Sequence, residues 1–197
     1  MLVVGPDDVR VRRLLRDLSE IEGIDAFAGR VGDASHRDLT IGLHSSVDEH
    51  IASARQSVEA GSHFISASHS SQIAEALVSN FTDTSGPGVI AGVDWTPGIT
   101  CTLAARAGMD EVDQVRVSWV VSAAGSSGWL AVERASEAFS SRAVVFEGGS
   151  WRRVMPGQES EHVFLPEPMG WREVWNCAGA ESLFLPKSFQ HLSRVGV

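Results

Sequence analysis

Residues 2–93 alternate short apolar runs with segments of helical periodicity, and this order limits the folds that the chain can adopt. The apolar run from Leu2 to Gly5 predicts a strand, and apolar residues at spacings of three and four predict a helix from Asp8 to Ile21. The same reasoning predicts strands over 24–29, 38–43, 63–67 and 88–93, and helices over 46–60 and 71–81. Because strands that alternate with helices at this spacing are joined by crossovers, the order predicts parallel βαβ units.

The second half of the chain has a different pattern, which begins after residues 95–98. Apolar residues at every second position predict a strand over 114–122, and Gly148 and Gly149 are typical of a hairpin turn. Helices are predicted over 99–107 and 131–139, and further short strands over 143–147, 150–155 and 161–165. We therefore predict an α/β fold with a Rossmann-like parallel sheet in residues 1–95. A smaller α+β domain with a mostly antiparallel sheet is predicted in residues 96–197.

Charge and cysteine content exclude several classes of protein. The formal net charge of −9 argues against a nucleic-acid groove or an anionic membrane surface as the main partner, because both require clustered positive charge. Cys101 and Cys177 supply neither a disulfide framework nor a metal-ligand pair, and the seven histidines lack metal-site spacing. No apolar run approaches the ~18 residues of a membrane helix, and the chain enters a strand without a signal peptide. We expect a cytoplasmic protein without a bound metal.

The turn between the first predicted strand and helix stands where a nucleotide-binding fold carries its glycine loop. Of the pattern G-x-G-x-x-G, only Gly5 is present. Pro6 removes a backbone N–H donor, and Asp7 and Asp8 place negative charge where the phosphates would lie. The architecture of a cofactor fold is thus predicted without its phosphate cradle.

Several segments, taken in order, resemble the saccharopine-dehydrogenase-like oxidoreductases. Ala28-Gly29-Arg30 looks like the end of the family's second strand, and residues 59–68 are similar to its E-A-G-x-H-Y-V-D-L-S segment. Residues 92–100 look like its G-x-x-x-x-P-G turn, residues 165–170 like F-P-E-P-x-G, and residues 181–186 like E-S-x-x-L-P. The resemblance covers nearly the whole chain and implies an N-terminal Rossmann domain with a C-terminal α+β domain.

The resemblance also implies a cofactor and an assembly. Gly5 and Arg30 would bind NADP if that cofactor is used, since an arginine at this position commonly meets its 2′-phosphate in the family. The glycine loop is shortened, however, and Ser66 replaces the family's aspartate. The family pattern continues beyond Val197 with helices and a returning strand. We therefore expect a reduced member whose exposed sheet face forms a homodimer.

The candidate site lies beyond the carboxyl ends of the first domain's strands, where open α/β sheets bind ligands. His69 is interpreted as a general base, and Asp94, beside an indole, as an acid or base with a raised pKa. The alternatives are a turn-initiating aspartate and serines that cap the helix near Ser71. Ser66 and Glu167 complete the catalytic candidates, Glu167 being held in a stiff extended segment between two prolines.

Six further residues are predicted to line the substrate pocket, with tryptophans as its walls. The predicted pocket residues are His63, Ser68, Trp95, Trp119, Trp129 and Trp171. Core packing is the alternative interpretation of the tryptophans. Cys101, at a predicted helix N-terminus, is interpreted as a packed thiol, with an activated thiol as the alternative.

Three functions remain open on this evidence. The preferred hypothesis is a small-molecule enzyme that binds no dinucleotide and performs acid–base chemistry such as isomerisation, cyclisation or elimination. The alternatives are an NADP-dependent oxidoreductase with an atypical loop and a non-catalytic binding module. Because the chain contains no tyrosine, a tyrosine acid or base is excluded.

Overall fold

A computed structural model of the chain describes residues 1–6, 9–44, 46–82, 85–107, 111–120, 135–136, 138–140 and 142–197. The chain forms two compact units, Met1–Trp95 and Thr96–Val197. Among the described residues, no helix is long and apolar enough to cross a membrane.

The first unit contains a five-stranded sheet in which every neighbouring pair is parallel. Its strands are β1 (Leu2–Val4), β2 (Phe27–Ala28), β3 (Leu39–Gly42), β4 (His63–Ser66) and β5 (Val89–Ile90), in the order β2-β1-β3-β4-β5. The helices are α1 (Val9–Ser19), α2 (Val47–Glu59) and α3 (Ser71–Asn80), with a short 3-10 helix at Val31–Ala34.

Apolar faces of the helices explain why these segments fold onto the sheet. Val11 of α1 packs with Val3 and Ile41, so the predicted stripe of α1 covers β1 and β3. On the next strand, Phe64 packs with Ile73 and other apolar residues of α2 and α3. Ser46 caps α2, accepting a hydrogen bond from the Glu49 backbone N–H at 3.5 Å. This arrangement leaves the carboxyl ends of all five strands at one edge.

The second unit contains two sheets. One is the antiparallel ribbon of β9 (Ser160–Leu165) and β10 (Gly170–Trp175). The other has the order β6-β11-β7-β8, formed by β6 (Gln114–Arg116), β7 (Ala143–Glu147), β8 (Ser150–Val154) and β11 (Arg194–Gly196). Among its described residues are the helices α4 (Thr100–Arg106) and α5 (Glu181–Ser188).

The predicted fold class is confirmed, and three elements add to it. Strand β10, helix α5 and strand β11 were not predicted from the sequence. A returning strand was expected only beyond residue 197, whereas β11 returns into the sheet between β6 and β7, parallel to β6. The predicted strand over 114–122 ends at Arg116, and the helix predicted over 131–139 falls largely outside the described residues.

Candidate functional site

His69 and Asp94 lie close together beyond the carboxyl ends of β4 and β5. The Val93 backbone N–H donates to the Ser66 carbonyl at 3.1 Å, so the chain after β5 runs beside the end of β4. This pairing brings Nδ1 of His69 to 3.7 Å from Oδ2 of Asp94. The two side chains are 26% and 21% exposed, so both are largely shielded from water. The pair therefore has a base and a carboxylate within reach of each other in a sheltered place.

The turn around Asp94 fixes its carboxylate. Oδ1 accepts the backbone N–H of Trp95 at 2.6 Å, while Oδ2 is the oxygen that faces His69. Asp94 therefore organises its own turn, as the turn-initiating interpretation predicted, and also faces the imidazole. The 3.7 Å separation exceeds a hydrogen bond, but an unliganded catalytic pair is often this loose.

Three serines near the pair are buried, and the hydroxyl of one of them forms a hydrogen bond within the turn before α3. Ser66 is 1% exposed, and its hydroxyl has no hydrogen-bond partner among the described residues. The Ser68 hydroxyl accepts the backbone N–H of Ser70 at 3.2 Å, which closes the turn before α3. Ser70 occupies the N-cap position of α3 without a side-chain cap hydrogen bond, so the predicted capping by its hydroxyl is not found.

The structure does not bring His63 to this pair. His63 begins β4, whereas His69 follows the end of that strand, so the two lie toward opposite edges of the sheet. Nδ1 of His63 accepts a hydrogen bond from the Gly88 backbone N–H at 2.8 Å, and this contact holds the residue that precedes β5 against the start of β4. His63 was predicted to line the pocket, but the strand that it begins separates it from the residues at the other end of β4. Trp95, next to Asp94, has an indole that is 61% exposed.

The remaining predicted residues belong to the second unit. Trp119 packs against Ala138, Cys177 and Val197, whereas Trp171 is 65% exposed and contacts Phe164 edge to face. Trp129 lies outside the described residues.

Glu167 occupies a tight turn, which corrects the predicted extended segment. The Met169 backbone N–H donates to the Pro166 carbonyl at 3.0 Å, and the peptide bond between Glu167 and Pro168 is cis. Its side chain is exposed at the end of the β9–β10 ribbon.

Packing accounts for the glycine at position 5. A Cβ at this position would lie 2.9 Å from Cβ of Leu43 and 3.4 Å from Cγ2 of Val11. The first distance is too short for two carbon atoms that are not bonded, so a larger residue would displace Leu43. Close approach of strand and helix is one of the roles of glycine in such turns. Arg30 is exposed, and its backbone N–H donates to the carboxylate of Asp33 at 2.9 Å. Asp7 and Asp8 lie outside the described residues.

Sequence reasoning missed a second histidine cluster after β3. Nε2 of His44 lies 3.0 Å from the Ser53 hydroxyl, and its Nδ1 lies 3.7 Å from Oε2 of Glu49. The ring of His50 meets that of His44 edge to face at 5.6 Å, and His50 is fully buried. Burial lowers the pKa of His50 to about 4 and also lowers the pKa of His44. The signal was the position of His44 just after a strand, which it shares with His69.

Ser53, His44 and Glu49 have the order of a nucleophile, a base and an orienting acid. The Ser53 residue is only 5% exposed, in the interior of α2. A substrate cannot reach a hydroxyl buried on a helix in this way. The cluster therefore holds His44 against the helix.

The second unit buries a carboxyl group at the start of α5. Glu181 is fully buried, and its Oε1 accepts the Thr100 hydroxyl at 2.6 Å. Burial raises the pKa of this carboxyl, and burial also raises the pKa of Cys101 to about 12 and that of Cys177 to about 11. Cys101 packs against the core of this unit, so the packing interpretation of this thiol is confirmed.

Comparison with known proteins links the chain to others through its fold. No family model matches the chain, and no curated protein matches its sequence. The structure is similar to that of apo, histidine-tagged saccharopine dehydrogenase (L-Glu forming) from Saccharomyces cerevisiae, with a TM-score of 0.60 and 12% identity. That match covers 99% of this chain and 54% of the yeast chain, so this chain spans about half the length of that protein.

A second match has less structural similarity. The oxidoreductase candidate yvaA from Bacillus subtilis has a TM-score of 0.34 and 15% identity, over 90% of this chain and 55% of that chain. At 12% identity, the likeness to the yeast enzyme concerns the fold alone. The chain therefore has an α/β Rossmann-like fold that is distantly related to that of saccharopine dehydrogenase.

Proposed function

We propose that the chain is an enzyme that moves protons on a small organic substrate, with His69 as the general base. The observation that carries this proposal is the 3.7 Å approach of the His69 ring to the Asp94 carboxylate at the ligand-binding edge of the sheet. Isomerisation, cyclisation and elimination are the reactions that such a base supports without a bound metal or nucleophile.

The proposal gives each group a role that its position supports. A carboxylate facing Nδ1 favours the tautomer that carries its proton there, so Nε2 is the nitrogen that accepts a proton from the substrate. Asp94 then stabilises the imidazolium that forms, and the Trp95 backbone N–H keeps the carboxylate in position. His69 returns the proton to another atom of the substrate, which completes the isomerisation without a net change in protons. In an elimination, the proton goes instead to the leaving group.

The proposal includes no dinucleotide. An added Cβ at Gly5 would lie 2.9 Å from Cβ of Leu43, so packing accounts for this glycine without a bound phosphate. After β2, the Asp33 carboxylate accepts the backbone N–H of Arg30. Its negative charge would repel the 2′-phosphate of NADP at this position. The packing of Gly5 and the charge of Asp33 support a proposal without a dinucleotide.

Deuterium exchange tests the catalytic role without a known substrate. The protein is incubated in D2O with a panel of small carbonyl compounds, and deuterium uptake is followed by mass spectrometry. We expect uptake in at least one compound and a loss of about 10²-fold or more in His69→Asn. His36→Asn is the matched control, since His36 is exposed in the same unit and has a left-handed backbone that asparagine tolerates. No uptake in any compound, or uptake that survives His69→Asn, contradicts the proposal.

An NADP-dependent oxidoreductase is the second candidate, favoured by Arg30 after β2 and by the fold shared with saccharopine dehydrogenase. Titration with NADPH, followed by energy transfer from tryptophan, separates the two candidates. Micromolar binding that Arg30→Gln weakens would support the oxidoreductase. No binding at millimolar NADPH would remove it, and a failed exchange screen as well would leave a non-catalytic binding module.

We also propose that the chain forms a homodimer in the cytoplasm. The support is the outer face of the β9–β10 ribbon, where Phe164 and Trp171 are 60% and 65% exposed. Sedimentation at micromolar concentration should give twice the mass of one chain, and Trp171→Ser should lower it. A monomer in the unmodified protein contradicts this assembly.

A further inference from the structure

We propose that the second unit holds a binding site of its own for a small carboxylic acid with an apolar body. A cavity of about 460 Å³ lies between the β9–β10 ribbon and the chain that continues β6, and we call it the ribbon cavity. Its volume falls in the range of small-ligand sites, roughly 300–1,000 Å³. All its lining residues belong to the second unit, whereas His69 and Asp94 belong to the first, so this proposal does not depend on the proposed function.

Strand register identifies the face of the ribbon that forms one wall. Directly paired residues of an antiparallel ladder share a face, and Val174 pairs with Glu161. The Glu161 carboxylate lies 2.9 Å from the guanidinium of Arg116 on β6, so this face is turned toward β6. Arg172 and Leu165 share the same face, and both line the cavity.

Apolar side chains form most of the lining. Val117 and Trp119 come from the chain that continues β6, and Phe139 and Leu165 also line the cavity. Phe139 is 50% exposed, so a ligand with an apolar body would remove part of its surface from water. This wall favours an aromatic ring or a short hydrocarbon chain.

Two arginines in the lining differ in their charge partners. Arg116 is paired with Glu161, so its charge is already compensated. Arg172 donates from Nη1 to the Trp171 carbonyl at 2.7 Å and has no carboxylate partner among the described residues. A guanidinium has five N–H donors in a fork that suits a carboxylate. Glu173 also borders the cavity, but it pairs with His162 and therefore stands on the other face of β10 from Arg172.

These features together select the ligand. Apolar walls alone would accept a neutral hydrophobe, and an exposed arginine alone would accept an inorganic anion. A cavity that joins the two is complementary to a molecule with one carboxylate and an apolar body. Its concave shape and its size suit a small molecule better than the flat face of a second copy of the chain.

Calorimetric titration with 2-naphthoate and its neutral analogue 2-naphthamide tests this site. We expect 2-naphthoate to bind one molecule per chain with a Kd below about 1 mM, and more tightly than 2-naphthamide. Arg172→Gln should weaken 2-naphthoate roughly tenfold and leave 2-naphthamide unchanged. Phe139→Ala, which removes a half-exposed apolar side chain from the lining, should weaken both compounds.

Arg153→Gln is the matched control, because it removes the same charge from β8, at the opposite edge of the sheet from β6. It should bind 2-naphthoate like the unmodified protein. Absence of binding, equal affinity for the two compounds, or binding that survives both Arg172→Gln and Phe139→Ala would overturn the proposal. If sedimentation shows a dimer that Phe139→Ala dissociates and 2-naphthoate does not bind, a second copy of the chain covers the cavity and the proposal fails.

Discussion

Two histidines follow neighbouring strands of the first sheet, and each has a carboxylate 3.7 Å from its Nδ1. They differ in the origin and shielding of that carboxylate. His44 faces Glu49, which is five residues away on the next helix and has a side chain 64% exposed. His69 faces Asp94, which arrives through the pairing of strands and has a side chain 21% exposed. Since solvent screens exposed charges, equal distances here do not mean equal interactions.

The other ring nitrogen of His44 also contacts the helix that follows it. Nε2 of His44 is already engaged by the hydroxyl of Ser53, on the same helix as Glu49. Both histidines follow the carboxyl end of a strand, at the edge where open α/β sheets bind ligands. Under the proposed function, the origin and the shielding of the carboxylate distinguish the two histidines, whereas the distance does not.

The largest expected difference is in catalysis. Replacing His69 with Asn should lower the rate of deuterium uptake by about 10²–10⁴-fold, because the general base is lost. Replacing His44 with Asn should leave that rate unchanged and lower thermal stability instead. The measurement is the exchange rate and the melting temperature of both variants. Loss of exchange in His44→Asn, with exchange retained in His69→Asn, would reverse the roles.

Acid should weaken the His44 cluster through its neighbour His50. The pKa of His50 falls from 6.5 to about 4 on burial, so between these values the unfolded chain binds a proton that the folded chain does not. The free energy of unfolding should therefore fall as the pH drops from about 6.5 to about 4, by about 3 kcal/mol from this group.

Denaturant unfolding at pH 7 and pH 4.5 checks this prediction. His50→Leu, which replaces the imidazole with an apolar side chain of similar size, should show a smaller loss of stability between the two pH values. An equal loss in the variant and the unmodified protein would show that His50 is not the group that titrates.

The hydrogen bond from α2 to His44 should have a moderate effect. Ser53→Ala leaves Nε2 of His44 without its partner in a part-buried place, and should cost about 1–2 kcal/mol of unfolding free energy. Ser57→Ala is the matched control on the same helix. Its hydroxyl donates only to the Ser53 carbonyl, a helix acceptor, so its loss should cost less. Equal costs for the two variants would mean that the His44 contact adds nothing.

The smallest effect is expected for Glu49. Because its side chain is 64% exposed, Glu49→Gln should change the free energy of unfolding by less than about 0.5 kcal/mol. It should still lower the pKa of His44, since Glu49 opposes the larger effect of burial. A proton NMR titration of His44 measures this shift. Asp94→Asn, at the same distance from its histidine, should instead lower deuterium uptake strongly.

Local periodicity explains which parts of the fold were predictable. The apolar stripe of α1 and the Ser46 cap depend on residues that are close together in the sequence. The same is true of the hairpin at Gly148 and Gly149, where φ is +58° and +81°. Strand β11 has only three residues, which are too few to show a periodic pattern. It is a strand because it pairs with β6 and β7. Short segments of this kind depend on neighbours that are distant in the sequence.

The candidate site was predictable to a similar degree. The rule that parallel strands end at one edge led to His69 and Asp94 as neighbours, and the structure has them 3.7 Å apart. The rule applies to residues at the end of a strand, and His63 begins β4, so the rule gives no reason to expect His63 beside His69. The contact between Ser53 and His44 depends on how α2 docks, which no local pattern reports.

The position of β11 has a consequence for synthesis of the chain. All strands of the first sheet lie within residues 2–90, so they can pair while the rest is still being translated. In the second unit, β6 and β7 have no shared neighbour until residues 194–196 leave the ribosome, about eighty residues after β6. Nascent chains arrested before residue 194 should therefore protect the first unit from protease and leave the second unit open to cleavage.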